Sequence, residues 1–312
     1  MYDVAFLGNY TKDTIVSAAG TRVVDGGAFN YGAHVAAHMG LHVAAVTRLA
    51  QEDYRVVEEL ERLGVDVFVC ATPQSTCLRL EYPTSNVDER TITVESTAGS
   101  FTPAQVQDVQ ARAFVVGPSL RGEVGLDVIE ALGRGRAAVE QAALGRDASP
   151  APALPGRCAL LAADVQGFVR VVRESRMVYE AWPEREAILS HVDVLKTDAV
   201  EAEMLTGTAD IQAAAQMLAA LGPREIVLTH RNGVLVYAGG EFHEAGFFPE
   251  RLVGRSGRGD TCLAAYVARR LAFPPAEATR WAAAVTSLKM EAEGPFRRDI
   301  GDVEEFLGRY DG

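Results

Sequence analysis

Cysteine is scarce, long apolar runs are missing and positive charge is in the minority, and each shortage removes a class of function. The four cysteines, Cys70, Cys77, Cys158 and Cys262, show no paired metal-binding spacing. In a chain of 312 residues, thiols so scattered read as small buried side chains rather than as a disulfide frame or a zinc site. No stretch reaches the ~18 consecutive apolar residues of a membrane span. The start MYDVAFLGNY also lacks a basic leader, so a cytoplasmic protein without a membrane partner is expected. A formal net charge of −12 opposes a nucleic-acid partner and confines any polyanion binding to a local patch. No internal repeat is visible.

What is present is enough apolar material for a large core, 48% hydrophobic against 23% charged residues, in one large α/β domain. Short continuous apolar runs at Val4 to Leu7, Val43 to Val46, Phe114 to Val116, Ala159 to Ala163, Val192 to Leu195, Ile226 to Leu228 and Val234 to Val236 predict strands buried on both faces. They alternate with helical stretches, Phe29 to Met39, Glu123 to Leu132 and Ile211 to Leu221, so a mainly parallel sheet with helices on both faces follows. Two segments differ. Leu78, Leu80 and Tyr82 alternate with Arg79 and Glu81, and Ile92 and Val94 with Thr91, Thr93 and Glu95, the pattern of a small antiparallel sheet wetted on one face. The stretch Leu144 to Arg157, rich in Pro, Ala and Gly, predicts an exposed loop.

The stretch with the most chemistry is Gly254 to Tyr266, GRSGRGDTCLAAY. Gly257 and Gly259 free the backbone so that successive N–H groups can converge on an anion, and Leu263, Tyr266, Val267 and Leu271 follow at helical spacing. The start of a helix favours a phosphate. A carboxylate placed there, Asp260, reads either as a helix cap or as a base that takes the proton of a hydroxyl attacking that phosphate.

Gly257-Arg258-Gly259-Asp260 resembles the G-A-G-D signature of the ribokinase or PfkB carbohydrate kinases. Together with ADVQGFVR at 163–170 and AAAVTSLKM at 282–290, it is most like the inositol-kinase branch. The resemblance implies a ribokinase-like three-layer sandwich over 1–312, with lid segments at approximately 9–25 and 75–97. It makes Asp260 the catalytic base and the amides around Gly257, Arg258 and Gly259 an anion hole. Gly26-Gly27 and Asn30 resemble the first signature, which holds substrate hydroxyls. Here Asn30 stands one place early and Tyr31 fills the usual position, which points away from ribose. Asp13, in GNYTKD, resembles the Asp that accepts bonds from acceptor hydroxyls. Asp164 and Arg170 resemble the inositol branch's substrate motif, although an ion pair between them is an equal reading.

KTDAVEAEMLTG at 196–207 resembles the family's N-x-x-E motif, with Asp198 in place of Asn. Mg²⁺ usually keeps several waters and is held through one or two carboxylates plus substrate phosphates, so Asp198 and Glu201 would act through metal-bound water. Read without the resemblance, they are acids in the first turn of a helix. Thr229 and Gly233, in THRNG, fall where the family touches the nucleotide, and Arg90 where a lid arginine approaches the site. The resemblance thus implies an ATP- and Mg²⁺-dependent kinase for a small polyol or sugar, inositol favoured, as a homodimer through the lid. The rivals are a nucleoside kinase of the same family and a non-catalytic nucleotide-responsive binding protein.

Overall fold

The computed structural model describes residues 1–18, 20–83, 90–133 and 160–310; the expected loop 144–157 and the turn at 84–89 lie outside them. The N-terminal half runs β1 (Tyr2–Leu7), β2 (Thr11–Ser17), β3 (Gly20–Gly26), α1 (Ala28–His38), β4 (Val43–Leu49), α2 (Arg55–Arg62), β5 (Asp66–Ala71), β6 (Thr76–Glu81), β7 (Thr91–Ser96), β8 (Ala111–Val116) and α3 (126–133). There follow β9 (Leu160–Asp164), α4 (Gln166–Val169), β10 (Arg170–Arg173), β11 (Arg176–Tyr179), α5 (Arg185–Leu189), β12 (Val194–Asp198), α6 (Ala199–Thr206) and α7 (Ile211–Ala219). The chain closes with β13 (Glu225–His230), β14 (Gly233–Ala238), β15 (Glu241–Gly246), α8 (Arg258–Arg270), α9 (Pro275–Met290) and α10 (Ile300–Tyr310).

The large sheet has nine strands in the order β15-β14-β13-β12-β9-β8-β1-β4-β5. From β13 to β5 every neighbouring pair is parallel, and only the β13-β14-β15 edge is antiparallel. Helices cover both faces, as the unbroken apolar runs require. In β1, Val4 and Phe6 join the core under α1, α8 and α9, while Ala5 and Leu7 join the core under α3 and α7. A strand with both faces buried has no polar alternation to display. The three-layer α/β architecture expected from the sequence is therefore the observed one.

The second sheet has six strands in the order β10-β11-β7-β6-β2-β3. It gathers both expected lid segments and adds β10 and β11, which the sequence did not indicate. Its pairing is antiparallel apart from β2 and β6, which run parallel. The β10–β11 turn is formed by Glu174 and Ser175, with φ of 48° and 67°, the left-handed pair that lets a two-residue hairpin follow the strand twist. Leu80, Ile92 and Val94 are buried while Thr91 and Glu95 are exposed, so the period-two pattern reports the wetted face correctly.

Candidate active site

The chain leaves β1 for β4 and β5 on one side and reaches β8, β9, β12 and β13 on the other. The strand order reverses between β1 and β8, and at such a point open α/β sheets take ligands in a crevice outside the carboxyl ends of the strands. Two glycines line it. A Cβ on Gly8 would lie 2.7 Å from the Gly117 carbonyl oxygen, and one on Gly117 would lie 2.1 Å from the Ala28 Cβ. Their bareness lets the start of α1 settle into the crevice, and with it the double glycine of the sequence motif. A Cβ on Gly26 would meet Asp13 Oδ2 at 2.9 Å, and Gly27, at φ 97°, heads α1.

Asn30 Nδ2 donates to the Asp25 carbonyl at 3.3 Å, and Asn30 itself is buried. Asn30 Oδ1 and Asp13 Oδ1 are both buried without a hydrogen-bond partner among the described residues. A buried acceptor left unpaired is costly unless something else fills it, and two such oxygens can take O–H or N–H donors of a ligand. Burial pushes the Asp13 carboxyl up to about 6, against a hydrogen bond from Thr11; Asp260 adds to the rise and Arg90 and Arg170 oppose it. Arg90 is exposed and donates to the Tyr82 hydroxyl at 3.4 Å, so its field reaches this carboxylate from the lid.

The glycine-rich loop is capped by Gly257, in the left-handed region at φ 71°, and α8 begins at Arg258. Asp260 is thus the third helical residue rather than the cap, and no side-chain cap bond is formed at this end. Its Oδ1 is buried without a partner among the described residues. The capping alternative for Asp260 fails on this geometry. A Cβ on Gly257 would fall 2.4 Å from the Tyr31 ring, and one on Gly259 would fall 2.7 Å from Lys196 Nζ. Both glycines let these side chains close on the loop. Burial raises the proton affinity of Asp260; Lys196, Arg170 and Lys289 oppose the rise and Glu201 adds to it.

Behind Asp260 lies a buried charge network. Lys196 Nζ stands 3.0 Å from Asp164 Oδ2, and Arg170 Nη2 stands 3.3 Å from Glu201 Oε1. Asp164 is therefore paired with Lys196, not with Arg170 as the sequence allowed. Burial pushes the Glu201 carboxyl up to about 7, with Lys196 and Arg170 opposing and Asp198 and Asp164 adding. Asp198 caps α6: its Oδ1 accepts from the Glu201 amide at 2.8 Å, and Glu201 Oε2 accepts from the Asp198 amide at 3.0 Å. Both acids of the motif thus serve a reciprocal capping box. Glu201 is committed to that cap and to Arg170, and no group of three metal-ligating side chains occurs among the described residues. The residues suit a donor that brings its own hydrated metal to Asp198, not a protein cage.

Thr229 lies near the end of β13 and Gly233 opens β14. Thr229 Oγ1 donates to the Thr197 carbonyl at 3.4 Å inside the sheet. Gly233 pairs with His230 across a hairpin, where a Cβ would lie 2.3 Å from the Ala245 carbonyl oxygen. The hairpin tip does reach a site: Arg231 and Asn232 line a cleft of about 340 Å³ with Phe247, Phe248, Arg255 and Arg258. Arg258, the first residue of α8, ties the cleft to the helix that carries Asp260, and its guanidinium stands 5.9 Å from the Phe247 ring centre. Sequence reasoning missed Arg231, Arg255, Lys196 and Lys289. The available signal for the lysines was one charge inside an apolar strand and one inside an apolar helix.

A profile of the pfkB family carbohydrate kinases matches residues 145–297. No match was found among curated proteins. Two solved structures described as a pyrophosphate-dependent kinase in the ribokinase family stand nearer. The one complexed with a pyrophosphate analog and myo-inositol is 32% identical, covers 97% of this chain and 99% of its own, and has a TM-score of 0.82. The sulfate complex is 33% identical, covers 96% and 99%, and has a TM-score of 0.83. Arabidopsis thaliana ribokinase, complexed with ribose and ATP, is 17% identical over 98% of both chains with a TM-score of 0.73, a likeness of fold alone. With a third of its residues identical along nearly the full length of such a kinase, the chain belongs to the pfkB or ribokinase family and is a carbohydrate or polyol kinase.

Proposed function

We propose that the chain transfers a phosphoryl group to a hydroxyl of a cyclic polyol, with myo-inositol the favoured acceptor. The observation that carries this is the unpartnered, buried Asp260 Oδ1 at the head of α8. Asp13 and Asn30, each with an open buried oxygen, would hold the acceptor. Asp260 would take the proton of the attacking hydroxyl while the acceptor oxygen bonds to the transferring phosphorus. The donor's bridging P–O bond breaks, and its electron pair leaves with the departing phosphate. The amides from Gly257 to Asp260, with Lys196 beside Gly259, would neutralise charge on the transferring group. Mg²⁺, when bound with the donor, would shield phosphate charge, with Asp198 meeting its hydration shell.

The sequence points to ATP as donor; the cleft favours inorganic pyrophosphate. Arg231, Arg255 and Arg258 bring three guanidinium groups to one small space, and guanidinium forks suit phosphate oxygens. Pyrophosphate is also the donor of the kinases that are 32% and 33% identical to this chain. Phosphorus NMR of reactions pairing pyrophosphate or ATP with myo-inositol, ribose and nucleosides tests both halves. Turnover should be greatest with pyrophosphate and myo-inositol, exceeding the ribose rate by about tenfold or more. Ribose or a nucleoside as best acceptor would sink the polyol reading, and turnover with ATP alone would sink the pyrophosphate reading.

The acid limb of the pH profile offers a second check. Ionised Asp13 accepts charge-assisted hydroxyl bonds at both oxygens, whereas protonation turns one oxygen into a donor and removes the charge, and the carboxyl is pushed up to about 6. Asp260 is raised as well. The acceptor kcat/KM should therefore decline as pH falls through about 6, well above the ~4 of an ordinary carboxylate. A profile flat down to about pH 5 would remove Asp13 from acceptor binding.

A further inference from the structure

Lys289 is a cation that the reaction scheme above does not use. It lies in α9, only 2% exposed, and its ammonium donates to the Gly254 carbonyl at 3.1 Å and to the Ser256 carbonyl. It also stands 5.4 Å from the centre of the Tyr31 ring, the ring on which Gly257 rests. The same helix end grips the loop with the opposite polarity, since the Val253 and Gly254 amides donate to the Met290 carbonyl at 2.9 and 3.0 Å. Gly254 is bare because a Cβ there would lie 2.3 Å from the Ala292 carbonyl oxygen.

In a trans peptide the C=O of one residue and the N–H of the next point in opposite directions. A Ser256 carbonyl held on Lys289 therefore aims the Gly257 amide away from Lys289. The Gly254 carbonyl does the same for the Arg255 amide. We propose that Lys289 is a positioning residue, a built-in monovalent cation that turns the loop carbonyls inward so that the amides at the head of α8 face the transferring phosphoryl group. The proposal rests on the phosphotransfer reading of that loop. Without the cation the two carbonyls face each other's dipoles in a buried space, and the peptide planes are free to flip.

An ammonium ion has the same charge and donors as the lysine head, so it should substitute for it. In Lys289→Ala, kcat should fall by about 10²-fold with acceptor KM within about threefold of wild type, as for loss of an anion-hole donor. Ammonium chloride should restore about tenfold or more of this loss, whereas tetramethylammonium chloride at equal ionic strength should not, and neither salt should change the wild type by more than about twofold. Lys289→Arg, which keeps the charge, should retain more activity than Lys289→Ala. The rise in unfolding midpoint on adding pyrophosphate gives a readout that needs no acceptor. Lys289→Ala should lose that rise and recover it with ammonium even if the choice of myo-inositol is wrong. A kcat within about threefold of wild type, or a loss that neither ammonium nor arginine relieves, would overturn the proposal, whereas no pyrophosphate effect on the wild type would overturn the donor reading and leave the kcat comparison to decide the role of Lys289. Failure of both variants to unfold cooperatively would also overturn the proposal, and would make Lys289 a folding residue.

Discussion

Asp260→Asn should lower kcat by about 10²–10⁴-fold, the range that general-base assistance supplies, while donor affinity stays within a few-fold. The amide is isosteric and can still accept a hydrogen bond, but it cannot take a proton. Stability should hardly move, and the reason is not capping, because Gly257 is the cap of α8. Burial disfavours the ionised form of Asp260 in the folded chain, so removing the charge relieves that penalty while losing the attraction of Lys196, Arg170 and Lys289. The two changes oppose each other, leaving a net shift within about 1 kcal/mol. Paired measurements of kcat, pyrophosphate affinity and unfolding midpoint decide the matter. A variant retaining kcat within about threefold would refute Asp260 as the base.

Lys196→Met should destabilise the fold by about 3–5 kcal/mol, the cost of stranding one partner of a buried ion pair. Lys196 is 4% exposed and Asp164 1%, and the variant leaves the Asp164 carboxyl buried without its cation. The pH dependence has a definite sign. Asp164 already has a raised pKa through burial, which Lys196 opposes, and losing the lysine raises it further. A folded-state pKa above the unfolded value of about 3.9 means that stability is greatest below that value and is lost as pH rises through the folded value. The deficit should therefore be smaller near pH 5 than near pH 8, measured by urea unfolding at each pH. A deficit under about 1 kcal/mol at pH 8, or one that shrinks as pH rises, would show that the pair is not the buried contact it is taken for. Asp164→Asn added to Lys196→Met should restore part of the loss.

The fold and the loop were legible because each rests on local patterns. Continuous apolar runs marked the parallel strands, and two closely spaced glycines before an aspartate marked the head of α8. What was hidden depends on distance in sequence. Lys196 earns its place only through Asp164 and Gly259, which other elements bring to it. Lys289 reads as one polar residue in an apolar helix until its carbonyl partners in the loop are seen. The strands β10 and β11 are four residues each and too short for alternation to register. Asp198 and Glu201 show the reverse case. Their spacing signalled a helix start, and both residues form the capping box of α6. Gly233 follows the same rule, being bare for the neighbouring strand's backbone.

Asp13 belongs to the six-stranded sheet, through β2, whereas Asp260 belongs to a helix laid on the nine-stranded one. On the proposed reading, an acceptor held by both would bridge the two sheets, which the Lys12–Asp53 and Arg55–Asp25 ion pairs already join. A polyol would meet the two carboxylates through separate hydroxyls, whereas a water molecule offers a single oxygen. Part of the acceptor's binding energy then goes into setting the geometry in which the donor is attacked, an advantage that a small competitor lacks. Protection of the donor from futile hydrolysis would in that sense follow from how the two sheets are joined, with no residue needed to recognise water.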